Sequence, residues 1–137
     1  MIDHSRLAPF RVDGQVIVSF SGGRTSALML RLFLDAHDGR LPDEAAVVFA
    51  NTGKEREETL DFVELCAQRW GVPVRWVEHR PRAPLNPERL ARVRDALHRH
   101  GLDFDEARLQ PVEAGYVEVT HATASRGGEP FLALLVE

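Results

Sequence analysis

The residues best suited to chemistry are six consecutive ones with the sequence Ser21-Gly22-Gly23-Arg24-Thr25-Ser26. They lie between two apolar runs, residues 16–20 and 27–34, an order that predicts a strand, a tight turn and a helix. Such a turn exposes unpaired N–H groups at the positive end of the helix dipole, where an anion binds. Two glycines let the main chain take a positive φ and approach the anion closely. The serine and threonine hydroxyls and the Arg24 guanidinium would add further donors.

Two widespread phosphate-binding loops do not fit this stretch. The Walker A loop needs a lysine and wider glycine spacing, and the dinucleotide fingerprint needs Gly-x-Gly-x-x-Gly. The stretch instead resembles the Ser-Gly-Gly-x-x-Ser pyrophosphate loop (PP-loop) of the adenine nucleotide alpha-hydrolase superfamily. That superfamily contains the ATP pyrophosphatases and the phosphoadenosine phosphosulfate (PAPS) reductases. The alternative is an ordinary strand–turn–helix whose turn happens to be Gly-Gly.

A second stretch, Asn51-Thr52-Gly53-Lys54-Glu55 followed by Glu58-Thr59, comes directly after the apolar run 45–50. It resembles the Thr-Gly turn and Glu-Thr helix start of the PAPS reductase branch. The resemblance implies that the main chain near this strand end borders the adenosine, through Phe49, Ala50, Asn51, Thr52 and Gly53. The alternative is a plain turn with a glutamate near the positive end of a helix dipole. The ends of parallel strands share one sheet edge, where open α/β sheets bind ligands.

A third stretch, residues 123–131 with the sequence Thr-Ala-Ser-Arg-Gly-Gly-Glu-Pro-Phe, lies near the end. It resembles the Ala-Ser-Arg-x-Gly-Glu-Pro-Phe segment of PAPS reductase-like proteins that bacteriophages often encode. The residues predict a polar loop leading into a helix with Pro130 at its first position. Ser125 and Arg126 are candidates for a second anion site, with a solvated helix cap as the alternative.

The sequence also departs from the resemblance. Many PP-loops carry lysine and aspartate where this chain has Arg24 and Thr25, and Thr25 supplies no carboxylate to help hold Mg²⁺. PAPS reductases use a cysteine near the C-terminus, whereas the one cysteine here, Cys66, falls in a predicted helix and is expected to be a buried small apolar residue. The sequence ends just after the apolar run 131–136. This suggests a truncated chain or a short divergent member; alternatively, the run packs against the sheet or against a second subunit as a homodimer contact.

The apolar periodicity predicts a doubly wound α/β fold in a single domain over residues 1–137. Strands are expected at 16–20, 45–50 and 72–77, in a mainly parallel sheet with helices on both faces. Helices are expected at 27–38, at 57–70, and from Pro87, capped by Asn86, to Gly101. Strand 16–20 is expected to be covered on both faces, and helix 27–38 to be well buried. Residues before Asp13 show no sustained periodicity.

Composition sets broad limits on function. The chain carries a net charge of −4, one cysteine and no apolar run long enough to span a membrane, which favours a cytoplasmic protein. The segment between Arg80 and Arg99 holds six arginines against two acidic residues, a local excess of 6 − 2 = +4. It predicts either a solvated amphipathic helix or an anion-steering surface for a nucleotide or nucleic acid. The histidine and cysteine spacing predicts no metal site.

Three functions remain open at this point. The resemblance implies an enzyme that binds ATP or a PAPS-like adenine nucleotide, with Mg²⁺ as a possible cofactor, and attacks the α-phosphorus to release pyrophosphate. The missing loop carboxylate and thiol favour a non-catalytic binding module. A sulfonucleotide reductase remains possible if its cysteine lies outside this chain.

Overall fold

A computed structural model describes residues 4–137. Residues 1–3, with which the predicted domain begins, lie outside the described part. The helices are α1 (His4–Leu7), α2 (Arg24–Ala36), α3 (Glu57–Trp70), α4 (Pro87–Arg99) and α5 (Glu129–Val136). The strands are β1 (Val16–Ser19), β2 (Ala45–Ala50), β3 (Val74–His79) and β4 (Tyr116–Val119).

The strands form one mainly parallel sheet in the order β1-β2-β3-β4. β1 pairs with β2 in parallel, from Val16↔Ala45 to Ser19↔Val48. β4 runs antiparallel to β3. The predicted α/β class and mainly parallel sheet are therefore confirmed.

The chain divides into two compact units, and each is described by itself. The first runs to Ala50 and resumes over Glu57–Arg75, and the second contains Asn51–Arg56 and Trp76–Glu137. The prediction of a single domain stays a prediction.

In the first unit, the most deeply buried side chains come from β1, β2, α2 and α3. Leu30, Leu34, Val47 and Val63 are fully buried. Each contributes about 1.5–3 kcal/mol to stability when it leaves water. The short α1 and the 3₁₀ turn Ala8–Phe10 contact α2 and bury Leu7, so the region without periodicity is partly helical.

Two burial predictions were wrong in this unit. β1 was expected to be covered on both faces, but Ile17 is 74% exposed whereas Val18, whose side chain points to the opposite face, is 6% exposed, so only one face of β1 is buried. α2 was expected to be buried nearly all round, but Leu28 is 59% exposed. Only one side of α2, with Leu30 and Leu34, lies in the core.

In the second unit, Leu109, Leu132 and Ala133 form a buried cluster against which α4 packs its apolar side. That side comprises Leu90, Val93 and Leu97, as predicted. α4 begins after Asn86, whose side chain accepts hydrogen bonds from Glu88 N and Arg89 N. The apolar α5 buries one side but leaves Phe131, Leu134 and Leu135 exposed. Within residues 4–137 no helix has the length and apolar character to span a bilayer.

Candidate functional site: two glycine turns and a buried carboxylate

The first glycine turn is shaped by close packing behind Gly22. This residue is buried with φ of +84°. A Cβ built on it would lie 2.7 Å from Thr59 Cγ2 and 3.1 Å from Val63 Cγ2, on the side of α3. Both the positive φ and the lack of space require glycine here. Packing of Thr59 and Val63 against Gly22, within the first unit's core, therefore holds the bend in place.

The front of the same turn is open. Gly23 is the N-cap of α2, with φ −92° and ψ 166°, and no side chain caps the helix. Gly23, Arg24 and Thr25 are exposed, and their backbone N–H groups donate to no protein acceptor within residues 4–137. A 13-residue helix directs the positive end of its dipole to the same place. The arrangement can bind an anion through main-chain donors.

Ser21 and Ser26 close the turn on itself. Ser26 Oγ accepts from Ser21 N at 3.2 Å and from Ser21 Oγ at 3.0 Å, and it donates to Gly23 O at 3.0 Å. Both hydroxyl protons are therefore used inside the loop in this conformation. The donors left for a ligand include the three amides, the Thr25 hydroxyl and the exposed Arg24 guanidinium, which has no partner in the described chain.

The second turn, after β2, is held by the buried side chain of Asn51, which is 3% exposed. Asn51 Oδ1 accepts from Gly53 N at 3.2 Å, and Asn51 N donates to Val77 O at 2.9 Å. Thr52 Oγ1 accepts from Lys54 N. Of the other residues assigned to the adenosine side, Phe49 is 1% exposed and belongs to the core. Ala50 is exposed.

The residue that organises this second turn is Glu78, which sequence reasoning missed. Its side chain is fully buried, and Oε2 accepts from Asn51 Nδ2 and from Ser125 N, both at 2.6 Å. Oε1 accepts from Ser125 Oγ at 2.7 Å and from Arg80 Nη2 at 3.2 Å. Burial alone would raise the pKa of Glu78, but the hydrogen bonds from Ser125, Asn51 and Arg80 outweigh it and lower the pKa below its ordinary value. The carboxylate is therefore charged at neutral pH.

The candidate second anion site is joined to this carboxylate. Ser125 is 2% exposed, and both its N–H and its hydroxyl donate to Glu78. Arg108 Nη1 donates to Ser125 Oγ at 2.9 Å. Arg126 is exposed and donates to the carbonyls of Ala124 and His121, both at 2.9 Å. The donors of Ser125 therefore already serve an internal anion, and an external anion at Ser125 stays a prediction.

The basic segment carries less free charge than its composition indicates. Arg80 is 6% exposed and pairs with Glu78. Arg94 is paired with Glu106. Arg92 and Arg99 are exposed, so a partner for this segment stays a prediction.

Cys66 is buried in α3, as expected. Burial raises the pKa of its thiol, so the thiolate that would act as a nucleophile is disfavoured.

Comparison with curated proteins gives no match. Residues 15–119 match the phosphoadenosine phosphosulfate reductase domain, and this range holds β1 to β4 and both glycine turns. The match covers well over half of the sequence, and the chain therefore belongs to the phosphoadenosine phosphosulfate reductase domain family.

Proposed function

We propose that this protein binds an adenine nucleotide, with the phosphate groups on the amides of Gly23, Arg24 and Thr25. The observation that carries the proposal is an exposed helix N-terminus with no side-chain cap, in a chain of a sulfonucleotide-related family. Uncapped helix starts leave donors unsatisfied, which a phosphate or sulfate satisfies without any side-chain charge. Arg24 adds a forked, charge-assisted contact to the same anion.

The proposal assigns the adenosine part of the ligand to the turn over Asn51, Thr52 and Gly53. Free main-chain groups at a strand end can hydrogen-bond to the edge of an adenine ring. The buried Asn51 side chain supports this role because it fixes the turn before any ligand arrives. A rigid turn loses little conformational entropy on binding.

The reaction we propose is attack by an acceptor on the α-phosphorus of ATP. The bond from that phosphorus to the bridging oxygen breaks, and pyrophosphate leaves with the electron pair. Amides at the start of α2 would stabilise the charge that develops on the leaving group. The loop itself supplies hydroxyls and a guanidinium but no carboxylate, so Mg²⁺ would be held mainly by the nucleotide's own phosphates.

A reductase reaction by this chain's own thiol is less well supported. Cys66 is 5% exposed, and burial raises its pKa. Thiol attack on a sulfonucleotide would thus require a cysteine from another chain or segment. We place the activity in the cytoplasm, where a lone thiol stays reduced. Release of sulfite from PAPS in the presence of a thiol reductant would favour the reductase, and release of pyrophosphate from ATP would favour the α-phosphate reaction.

Binding is tested most sharply by substituting Gly23 with aspartate. The N-cap dihedral angles of Gly23 are those that a capping aspartate adopts, and its carboxylate would accept from the amides of Thr25 or Ser26. Gly23→Asp should therefore stabilise the protein by about 0.5–2 kcal/mol relative to Gly23→Ala. The same variant should lower the affinity for ATP and pyrophosphate at least about tenfold, because its carboxylate occupies the anion site and repels phosphate.

Gly23→Ala is the matched control, since a Cβ at this position meets nothing closer than Ser21 Oγ at 3.8 Å. Isothermal titration calorimetry with ATP, PAPS and pyrophosphate gives the affinities, and urea unfolding gives the stabilities. Equal affinity of the aspartate and alanine variants would exclude the amides of α2 as the phosphate site. A wild-type protein that binds none of the three ligands would refute the proposed function as a whole.

A further inference from the structure

We propose that Glu78 is a positioning residue that joins the Asn51–Gly53 turn to the Ala124–Gly128 loop, so that the two form one rigid wall on the adenosine side. This inference rests on the proposed function, because it assigns a role within the same nucleotide site. It goes further in naming a residue that cannot touch the ligand. The Glu78 side chain is 0% exposed and acts only through the residues that it holds.

The geometry shows one carboxylate shared by two distant segments. Asn51 and Ser125 are 74 positions apart in the sequence, and both donate to Oε2 of Glu78 at 2.6 Å. Ser125 Oγ donates to Oε1 at 2.7 Å. Hydrogen bonds to a charged, buried acceptor are about twice as strong as neutral ones. Each loop is thereby tied to β3 and, through Glu78, to the other loop.

Direct contacts between the two loops reinforce this link. Asn51 Nδ2 also donates to Ser125 O at 3.0 Å. Gly53 and Gly128, each with a φ near +80°, meet backbone to backbone. A Cβ on Gly53 would lie 2.8 Å from Gly128 N. The two loops are therefore in close contact through their backbones as well as through Glu78.

The negative charge of Glu78 is essential to this arrangement. Every group that faces its two oxygens is a donor, from Asn51, Ser125 and Arg80, and Arg108 Nη1 lies 3.7 Å from Oε1. In Glu78→Gln the new amide N–H would point at another donor. The loss of the charge would also leave the buried Arg80 guanidinium without its carboxylate. An isosteric neutral side chain is therefore expected to release both loops.

The first experiment measures amide hydrogen exchange in wild-type protein, Glu78→Gln and the matched control Glu113→Gln. Glu113 is exposed and has no partner within residues 4–137, so its substitution removes one charge and no contact. In Glu78→Gln, exchange at the amides of Gly53 and Ser125 should rise together by about tenfold, which corresponds to losing one charge-assisted hydrogen bond. The amide of Ala27, which donates to Gly23 O, should keep its wild-type rate.

A uniform rise that includes Ala27 would show general destabilisation and would overturn the proposal, as would unchanged rates at Gly53 and Ser125. If Glu78→Gln fails to fold, Ser125→Ala provides the test. It removes the 2.7 Å bond to Oε1 and the 2.9 Å bond from Arg108 Nη1, but it keeps the bond from Ser125 N to Oε2. We expect a smaller rise at both positions in that variant. A rise at Ser125 with none at Gly53 would show that the loops are independent and would contradict the inference.

The second experiment separates positioning from phosphate binding. Glu78→Gln should weaken ATP binding at least about fivefold while leaving pyrophosphate affinity unchanged, because pyrophosphate needs only the amides of α2. Unchanged ATP affinity in a variant whose loops exchange faster would overturn the positioning role. Failure of the wild-type protein to bind ATP or pyrophosphate would instead refute the proposed function, and the exchange rates alone would then decide whether Glu78 joins the loops.

Discussion

Replacing Gly22 with alanine should destabilise the protein by about 2–5 kcal/mol. A left-handed φ of +84° costs an L-residue about 1–2 kcal/mol. The added methyl group would lie 2.7 Å from Thr59 Cγ2 and 3.1 Å from Val63 Cγ2, and overpacking of this kind costs about 1–3 kcal/mol. These two contributions sum to the stated range. This is a large fraction of the free energy of unfolding of a typical domain, which is about 5–15 kcal/mol.

Urea unfolding followed by far-ultraviolet circular dichroism measures this loss as a shift of the midpoint. Gly23→Ala is the control, because its φ of −92° suits alanine and its Cβ has room. We expect it to cost no more than about 1 kcal/mol through the poorer N-cap. Equal losses in the two alanine variants would refute the argument that the turn is fixed from behind at Gly22.

Three further predictions concern single groups. The folded-state pKa of Glu78 lies below its ordinary value of 4.5, so the stability that this carboxylate contributes is present above pH 4.5 and is lost as the pH falls through the folded-state pKa. Between about pH 7 and pH 3, the free energy of unfolding should therefore fall more in the wild type than in Glu78→Gln. Parallel curves of this free energy against pH would contradict the prediction. Because Cys66 is buried and burial raises its pKa, thiol labelling should be at least about a hundredfold slower in the native protein than in urea. Comparable rates would show an accessible thiol. Asn86→Ala removes an acceptor for two backbone N–H groups and should cost about 1 kcal/mol in urea unfolding, whereas Asn86→Asp should not.

Local signals predicted several elements well. β2 coincides with a continuous apolar run, and α3 is bounded by a polar turn and by Gly71. Both elements therefore have the predicted limits. The Asn86–Pro87 pair predicted the start of α4 correctly, because the N-cap and the first residue of a helix are determined by neighbouring residues alone. Such features need no knowledge of the rest of the fold.

Features that depend on position in the sheet were harder to predict. The exposure of Ile17 depends on which elements cover each face of β1, and no residue near Ile17 indicates that. β4 was not predicted, because its four residues alternate between half-buried and exposed and lack a long apolar run. The helical turns before Asp13 are too short to show periodicity.

The candidate site was predictable where its residues are contiguous. The first glycine turn is one local motif, and in the structure it joins a strand to a helix whose first backbone N–H groups have no side-chain cap. Glu78 was missed because its partners Asn51 and Ser125 lie 27 and 47 residues away, and only tertiary structure brings them together. The available signal was an acidic residue two positions after the buried Trp76 on the same face of β3, with an arginine two positions further on.

The proposed function depends on the binding of phosphate by the main-chain amides at the start of α2. Titration of ¹⁵N-labelled wild-type protein with pyrophosphate, followed by amide chemical shifts, tests it directly. We expect the amide signals of Gly23, Arg24 and Thr25 to shift the most and to saturate along one binding curve. Saturable binding that leaves these three signals unmoved would contradict the claim, and so would the absence of any shift at millimolar pyrophosphate.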